Sequence, residues 1–246
     1  SRIKHCGSVI KILNNIDEST SLPSAQDGAF IFDLDGTLVD SVPDITRAIN
    51  LALKALKRPT CEEGDVRHWI GNGAKALVRR AVSSGFRPTT DVPQRLLEET
   101  HTQFLKYYSD TLCESSTLYP GVKETLAELK RIGYPLAIAT NKPARFIAPI
   151  CETLEINTFF SLCVGGDSLP EKKPSPLPLA HLCHQLNKQA HHCIMVGDSK
   201  NDILAAKAAG MRSVGLTYGY NYGESISQYR PDWVFDDFRE IISLLP

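Results

Sequence analysis

Two carboxylates stand at the end of a short apolar run in the segment Phe32-Asp33-Leu34-Asp35-Gly36-Thr37, which follows Ala29-Phe30-Ile31. Charged side chains are rarely left in such surroundings unless they are paired or bind a metal, because removing an ion from water is costly. Carboxylates two residues apart at a strand end can converge on one ion, and Gly36 lets the backbone turn sharply beside them. The pattern favours Asp33 and Asp35 as a nucleophile and a proton donor sharing a Mg²⁺ site. An aspartate-rich turn is the simpler alternative for this motif taken alone.

Two further polar clusters follow predicted strands, at the point where each strand ends. Thr140-Asn141 follows the predicted strand 134–139, and Gly197-Asp198-Ser199 follows the predicted strand 193–196. Open parallel sheets bind ligands beyond the carboxyl ends of their strands, where the strand order reverses. If the strand at 29–33 is central, with one of these strands on each side, all three polar clusters meet over it.

The second half of the chain alternates between helices and short apolar strands, starting at Tyr119-Pro120-Gly121. This alternation is typical of parallel βαβ units, so we predict an α/β fold with a Rossmann-like doubly wound parallel sheet. The predicted strands cover residues 29–33, 134–139, 161–164, 193–196, 212–216 and 233–235. The predicted helices between them cover residues 121–132, 143–155, 176–187 and 199–209.

Residues 44–118 have a helical pattern and contain no clear strand. Ser41 can cap a first helix that has Pro43 in its first turn and apolar residues at helical spacing after it. A second helix is predicted to begin after Gly73 and to stop at Gly85, and a third to begin near Pro93. We therefore predict an N-terminal extension over residues 1–28, an α/β core over 29–43 and 119–246, and an all-helical cap domain over 44–118.

The composition is that of an ordinary soluble globular protein, with 42% hydrophobic and 22% charged residues among 246. No apolar run approaches the roughly 20 residues that a membrane helix needs. The net charge of -1 gives no electrostatic reason to expect nucleic acid or a membrane as the main partner. The apolar stretch Val9–Leu13 is interrupted by charge and has no cleavage site after it, so no signal peptide is predicted. A monomer or a homodimer is expected.

The seven cysteines are scattered and have no C-x-x-C spacing, which is typical of reduced thiols in a cytoplasmic protein. Cys183-His184 and His191-His192-Cys193 lack the ligand spacing of a structural zinc site, and the second cluster leads directly into a predicted strand. Zinc is therefore not predicted.

Four motifs occur in the order found in the haloacid dehalogenase-like phosphohydrolases, which the chain resembles over residues 29–240. They are Asp33-Leu34-Asp35-Gly36-Thr37-Leu38-Val39-Asp40-Ser41, Thr140-Asn141, Lys173-Pro174 and Gly197-Asp198-Ser199-Lys200-Asn201-Asp202. The coincidence of the first motif with the fourth is more specific than either motif alone. The resemblance implies a Mg²⁺-dependent phosphohydrolase acting on a small phosphorylated metabolite, with a helical cap inserted into the α/β core.

The resemblance also implies roles for individual residues. Asp33 and Asp198 would bind Mg²⁺ through their side chains, and Asp35 would bind it through its backbone carbonyl. Asp33 would attack phosphorus to give an aspartyl phosphate, while Asp35 would protonate the leaving alkoxide and later deprotonate the attacking water. A dehalogenase expels halide and needs no acid for its leaving group, so the presence of Asp35 favours phosphate chemistry.

The phosphoryl oxygens would be bound by a second group of residues, again by resemblance. Thr140, Asn141 and the amides near Thr37 would donate hydrogen bonds, and Lys173 would be a catalytic residue that supplies a positive charge. Thr140 could equally be a helix N-cap. Asp202 would anchor the site, unless it is an exposed helical carboxylate.

Substrate selection is expected at the cap loop Trp69-Ile70-Gly71-Asn72-Gly73-Ala74. Gly71, Asn72 and Gly73 would bring free backbone amides close to an anionic group such as a carboxylate, although a plain helix–helix turn is the alternative. Candidate partners for that carboxylate are Arg67, Lys75, Arg79 and Arg80, each of which is more simply a solvated surface charge.

The chain is similar, in this loop and in four core segments, to bacterial members of the family that hydrolyse 2-phosphoglycolate to glycolate and phosphate. The segments are Tyr119-Pro120-Gly121-Val122, Thr140-Asn141-Lys142-Pro143, Gly165-Gly166-Asp167 and Val214-Gly215-Leu216-Thr217-Tyr218-Gly219-Tyr220-Asn221. The resemblance therefore implies that substrate. Two alternatives are a family phosphatase acting on another small compound, such as a phosphosugar or pyrophosphate, and a non-catalytic regulator that binds a ligand.

Overall fold

The computed structural model describes residues 22–84 and 92–246 of the chain. The predictions for Val9–Leu13 and for a helix end at Gly85 fall outside these residues. Within them, no helix has the length and apolar character needed to cross a membrane.

A six-stranded parallel sheet forms the centre of the molecule, and its strand order is β5-β4-β1-β6-β7-β8. The strands are β1 (Ala29–Phe32), β4 (Leu136–Ala139), β5 (Leu162–Val164), β6 (Cys193–Gly197), β7 (Arg212–Leu216) and β8 (Trp233–Phe235). Strand β1 pairs with β4 on one side and with β6 on the other, so the chain changes direction across the sheet at β1. The first strand therefore meets the condition stated above, and the carboxyl ends of β1, β4 and β6 lie side by side.

Helices cover both faces of this sheet, as the doubly wound prediction requires. They are α5 (Val122–Ile132), α6 (Ile147–Thr153), α7 (Leu177–Gln185) and α8 (Lys200–Ala209). Phe30 and Phe32 of β1 pack into one buried apolar cluster with residues of α5 and α6, whereas Ile31 packs into a second cluster with residues of α7 and α8. Alternate residues of a strand face opposite sides of a sheet, and β1 is apolar throughout because both of its faces are buried.

Four helices lie between β1 and α5 and pack mainly on one another. They are α1 (Val42–Ala55), α2 (Glu63–Arg67), α3 (Ala74–Ser83) and α4 (Gln94–Asp110). The short helix α2 was not predicted. The chain enters and leaves this helical segment through two antiparallel strands of two residues each, β2 (Val39–Asp40) and β3 (Thr117–Leu118). The expectation of no strand within 44–118 is therefore wrong at Thr117–Leu118, where two residues are too few to give a sequence pattern.

The start of α1 differs from the predicted cap. Ser41 occupies the N-cap position, but its side chain makes no capping hydrogen bond and instead donates to Asp35 Oδ1 at 2.5 Å. The hydroxyl of Tyr220 accepts hydrogen bonds from the backbone N–H groups of Ser41 and Val42, at 3.1 and 3.2 Å. A distant tyrosine thus accepts from the first two N–H groups of the helix start, while the Ser41 hydroxyl binds Asp35.

Candidate active site

Three buried carboxylates converge beyond the ends of β1 and β6. One oxygen from each of Asp33, Asp198 and Asp202 lies within 4.8 Å of the others, which is close enough for a shared metal ion. Asp33 follows β1, Asp198 follows β6, and Asp202 belongs to the first turn of α8. Asp35 is not part of this cluster, because its carboxylate contacts Ser41 and Lys142 instead. The structure therefore leaves only its backbone carbonyl as a candidate ligand, as the family resemblance implied.

The charges in this cluster indicate what would bind there. The pKa of Asp33 is raised from 3.8 to about 7, mainly by burial and also by the carboxylates of Asp202 and Asp35, against the opposing effect of Lys173. Burial also raises the pKa of Asp198 well above its ordinary value, together with the neighbouring Asp33 and Asp202. Crowded, buried carboxylates resist ionisation unless a cation offsets their charge. Hard oxygen donors in this number fit a divalent cation such as Mg²⁺.

Lys173 supplies one positive charge to the cluster from the loop before α7. Its Nζ lies 2.5 Å from Asp202 Oδ1 and 3.1 Å from Asp33 Oδ1, and its side chain is only 3% exposed. Burial alone would lower the pKa of Lys173, but Asp202 and Asp33 outweigh it and hold the pKa above its ordinary value. The lysine is therefore a permanent cation beside the candidate nucleophile.

We expect Lys173→Met to lower the free energy of unfolding of the metal-free protein by about 3–5 kcal/mol at a pH near 8, because it leaves buried carboxylates without their partner. Urea unfolding measures this change. Lys172→Met is the matched control. Lys172 is exposed and, among the residues that the structure describes, donates only to the carbonyl of Asn72, so a loss of about 1 kcal/mol is expected. Equal losses in the two variants would contradict the assigned role of Lys173.

Asp202 anchors the cluster, as one of the two sequence hypotheses proposed, and it is fully buried. Its Oδ2 accepts hydrogen bonds from the backbone N–H groups of Asp198 and Ser199, both at 3.1 Å. Its Oδ1 accepts from Lys173. Because its oxygens are already engaged by N–H donors and a lysine, Asp202 fixes the loop that carries Asp198.

Asp198 is fixed from the opposite side by Thr37 and Tyr220. The Thr37 hydroxyl donates to Asp198 Oδ1 at 2.9 Å, and the backbone N–H of Tyr220 donates to Asp198 Oδ2 at 2.6 Å. The structure thus places the Thr37 side chain on Asp198. The residues after β7, which sequence analysis singled out only for their similarity to the family, close over the acidic cluster.

Thr140 and Asn141 follow β4 and lie beside Asp33 and Asp35 on one cavity. Thr140 Oγ1 accepts from the backbone N–H of Lys142 at 3.1 Å. The next helical turn begins at Ala144, so Thr140 is not its N-cap. The Asn141 amide donates to the carbonyls of Gly71 and Lys173 at 2.9 and 2.7 Å, and thereby ties the cap loop to the loop of the third motif.

The predicted cap loop does lie over the core. Gly71 and Gly73 have φ angles of 127° and 91°, which side chains rarely adopt, and both glycines line the cavity. The Gly71 carbonyl also accepts from the Asn201 amide at 3.2 Å. The Asn72 side chain accepts from Arg80 at 2.8 Å, and the role predicted for the Asn72 backbone amide stays a prediction. The loop is held on the core by its carbonyls.

The four predicted carboxylate partners are not brought to this cavity. Arg67 lies over the ring of Tyr220, Arg80 binds loop oxygens, and Arg79 is exposed. Lys75 lines a wider outer cleft. The simpler interpretation of these four residues, as charges with a surface or structural role, is consistent with their positions.

Lys142 and Tyr108 were given no functional role from the sequence. Lys142 is buried, and its Nζ lies 3.1 Å from Asp35 Oδ2 and 2.6 Å from the Tyr108 hydroxyl. Burial alone would lower the pKa of Lys142, but Asp35 and Tyr108 outweigh it and hold the pKa above its ordinary value. The signal in the sequence that could have identified Lys142 is its position next to Thr140-Asn141, three residues after the buried strand β4.

Comparison with known proteins places this geometry in a family. Residues 28–210 match the family described as haloacid dehalogenase-like hydrolase. The phosphoglycolate phosphatase of Colwellia psychrerythraea is 52% identical over 212 residues, which cover 86% of this chain and 94% of that protein. The phosphoglycolate phosphatase of Haemophilus influenzae is 47% identical over 215 residues, covering 87% and 96%. The crystal structure of a predicted phosphoglycolate phosphatase from Haemophilus somnus superposes with a TM-score of 0.85 at 46% identity, covering 89% and 98%.

Proposed function

The chain belongs to the haloacid dehalogenase-like hydrolases, and from this membership we propose that it is a Mg²⁺-dependent phosphatase that hydrolyses 2-phosphoglycolate to glycolate and phosphate. The observation that carries the proposal is the pair Asp33 and Asp35, which face one cavity and are each paired with a different buried lysine. Two carboxylates with separate partners can act as nucleophile and proton donor. The choice of substrate rests on the phosphoglycolate phosphatases to which the chain is similar over most of its length.

In the first step a carboxylate oxygen of Asp33 attacks phosphorus and forms an aspartyl phosphate as the bond to the glycolate oxygen breaks. Lys173, 3.1 Å from Asp33, stays beside the transferring group and offsets its negative charge. Bound Mg²⁺, held by the side chains of Asp33 and Asp198 and by the Asp35 carbonyl, would supply further positive charge at the phosphoryl oxygens. Thr140 and Asn141 line the same cavity, and we assign phosphoryl binding to them.

Asp35 is the proton donor of the first step and the proton acceptor of the second. It donates to the oxygen of the departing glycolate, and it then takes a proton from the water that attacks the phosphorus of the aspartyl phosphate. That attack releases phosphate and restores the Asp33 carboxylate. Ser41 and Lys142 hold the two oxygens of Asp35, at 2.5 and 3.1 Å, so the proton donor keeps one orientation through the cycle.

A panel of phosphate esters compared by kcat/KM tests the proposal, since that ratio reports discrimination between transition states. We expect 2-phosphoglycolate to exceed phosphosugars and pyrophosphate by about 10-fold or more. Efficient hydrolysis of another metabolite beside poor turnover of 2-phosphoglycolate would contradict the substrate, and no turnover of any ester by folded, Mg²⁺-loaded protein would contradict the enzyme.

Mg²⁺ should stabilise the protein as well as activate it. At a concentration of about 100 times its Kd, a ligand of the folded state adds about 2.7 kcal/mol, which corresponds to a rise in Tm of roughly 5–10 °C for a chain of this size. Differential scanning calorimetry with and without Mg²⁺ measures the shift. Asp198→Asn should lose most of it, whereas the exposed control Asp110→Asn should keep it. An undiminished shift in Asp198→Asn would exclude Asp198 as a ligand.

We also propose a cytoplasmic location. Six of the cysteines lie in the part of the chain that the structure describes, and all six are free thiols. Unpaired cysteines are typical of a reducing compartment.

A further inference from the structure

The cavity beside Asp33 and Asp35 has an apolar wall with a small polar patch. Its apolar lining comes from the helical segment and from the turn after β4, at Ile45, Ile70, Leu77, Phe104 and Phe146. Lys142 is the cation that lines it, and the Tyr108 hydroxyl lies 2.6 Å from the Lys142 Nζ. A ligand that places an anionic oxygen at this patch gains a charge-assisted hydrogen bond, whereas an apolar ligand group would desolvate the ammonium N–H that Asp35 and Tyr108 do not accept.

The polar patch keeps two hydrogen-bond donors for a ligand. An ammonium group has three N–H donors. Among the described residues, Lys142 donates one to Asp35 and one to Tyr108. The Tyr108 hydroxyl accepts from Lys142 and so retains its own hydrogen. No acceptor among the described residues takes that hydrogen or the third ammonium hydrogen. One ammonium hydrogen and one phenol hydrogen, held side by side, match the two oxygens of a carboxylate.

Tyr108 is held rigidly in this position. Its ring stacks on Phe104 with centroids 5.6 Å apart and meets Phe146 edge-on at 4.9 Å. Lys142 is likewise fixed, with its Nζ 4.5 Å from the centre of the Tyr108 ring. Donors that are already ordered bind a ligand without a further entropy cost.

The cavity also limits the size of the ligand. Its free volume is about 50 Å³, which at roughly 10–15 Å³ for each water-sized group holds about four such groups. The two carbons and two carboxylate oxygens of a phosphorylated two-carbon acid match this number, whereas a sugar ring with its hydroxyl groups exceeds it.

We propose that Lys142 and Tyr108 form the binding subsite for the carboxylate of a short phosphorylated acid, an inference that rests on the proposed phosphatase function. Lys142 contacts Asp35 Oδ2, whereas Ser41 at the start of α1 contacts Asp35 Oδ1, so the proposed subsite lies beside the Oδ2 oxygen of the proton donor. It replaces the four surface cations that sequence analysis offered for this role.

The test compares kcat/KM for 2-phosphoglycolate with that for ethyl phosphate, which keeps the two-carbon ester and lacks the carboxylate. Tyr108→Phe removes one hydroxyl that does not contact Asp35, and we expect it to reduce the preference for 2-phosphoglycolate about 10-fold. Lys142→Met should reduce the preference about 100-fold, in addition to any loss that both substrates share. Tyr107→Phe makes the same change at the residue that precedes Tyr108 in α4. It is the control and should leave the preference unchanged.

Equal losses on the two substrates, with the preference intact in both variants, would overturn the subsite and leave Lys142 as a positioning residue for Asp35. This result is distinct from failure of the proposed function, in which the wild-type protein itself would hydrolyse 2-phosphoglycolate no better than ethyl phosphate. If Lys142→Met does not fold, Tyr108→Phe decides the question alone.

Discussion

Asp33→Asn is expected to reduce turnover of 2-phosphoglycolate by about 10⁴-fold or more, because an amide cannot attack phosphorus and form the acyl phosphate. The substitution keeps the size of the side chain, and it removes one negative charge from the buried cluster of carboxylates. Steady-state assays with saturating Mg²⁺ measure the loss. Activity near that of the wild type would contradict the nucleophile assignment.

The stability of the same variant distinguishes lost chemistry from lost folding. The pKa of Asp33 is raised by burial from 3.8 to about 7, so the folded protein holds this proton more tightly than the unfolded chain. Through this group, the metal-free wild-type protein therefore loses stability as the pH rises from about 4 to about 7. Asp33→Asn has no such proton to lose. Its Tm without metal should be at least that of the wild type above about pH 7, and a much lower Tm would point to misfolding instead.

Asp35→Asn should give the second largest effect, a loss of about 10²–10⁴-fold with 2-phosphoglycolate. An alkoxide leaving group needs the proton that Asp35 supplies, whereas a nitrophenolate departs without one. With an aryl phosphate, the variant should therefore release about one equivalent of phenol in a rapid burst and then turn over slowly. The slow phase follows because Asp35 is also the base that activates water.

Stopped-flow absorbance records this burst. Asp110→Asn, an exposed carboxylate on α4, is the control and should behave as the wild type with both substrates. Equal losses with the alkyl and the aryl ester, together with no burst, would contradict the role of Asp35 as the acid for the leaving group.

The sheet could be predicted from the sequence because its signals are local. Each strand is a short apolar run bounded by turn residues, and β1 reads as fully apolar because both faces are buried. The central position of β1 was an assumption, under which the polar residues that end three strands would meet. The acidic cluster could be predicted for the same reason, since Asp33 and Asp198 directly follow strands that lie side by side.

The contacts that orient these carboxylates could not be predicted in this way. The Ser41 hydroxyl has the sequence signature of a helix cap, and only the distant Tyr220 shows why it is free to bind Asp35. Tyr108 fits the apolar face of α4, so its hydroxyl gave no sign of meeting Lys142 from another element. Both misses depend on tertiary packing, which brings Tyr220 to the start of α1 and Tyr108 to Lys142.

The position of the cap loop could be predicted from the sequence, but the contacts that hold it could not. Its glycines were expected to approach the site, and Gly71 and Gly73 do line the cavity. Its carbonyls, however, are bound by Asn141 and Asn201 of the core, a detail of backbone orientation that no sequence pattern carries. The loop is thus positioned by the same motifs that carry the chemistry.

Chemical trapping of the phosphorylated residue during turnover of 2-phosphoglycolate tests directly whether Asp33 is the nucleophile. The enzyme is mixed with substrate and Mg²⁺, quenched rapidly in acid and treated with borohydride, which reduces an aspartyl phosphate to homoserine, and the peptides are sequenced by mass spectrometry. We expect homoserine at position 33 in the wild type and none in Asp33→Asn. Homoserine at position 35, or no modified residue while 2-phosphoglycolate is being hydrolysed, would contradict it.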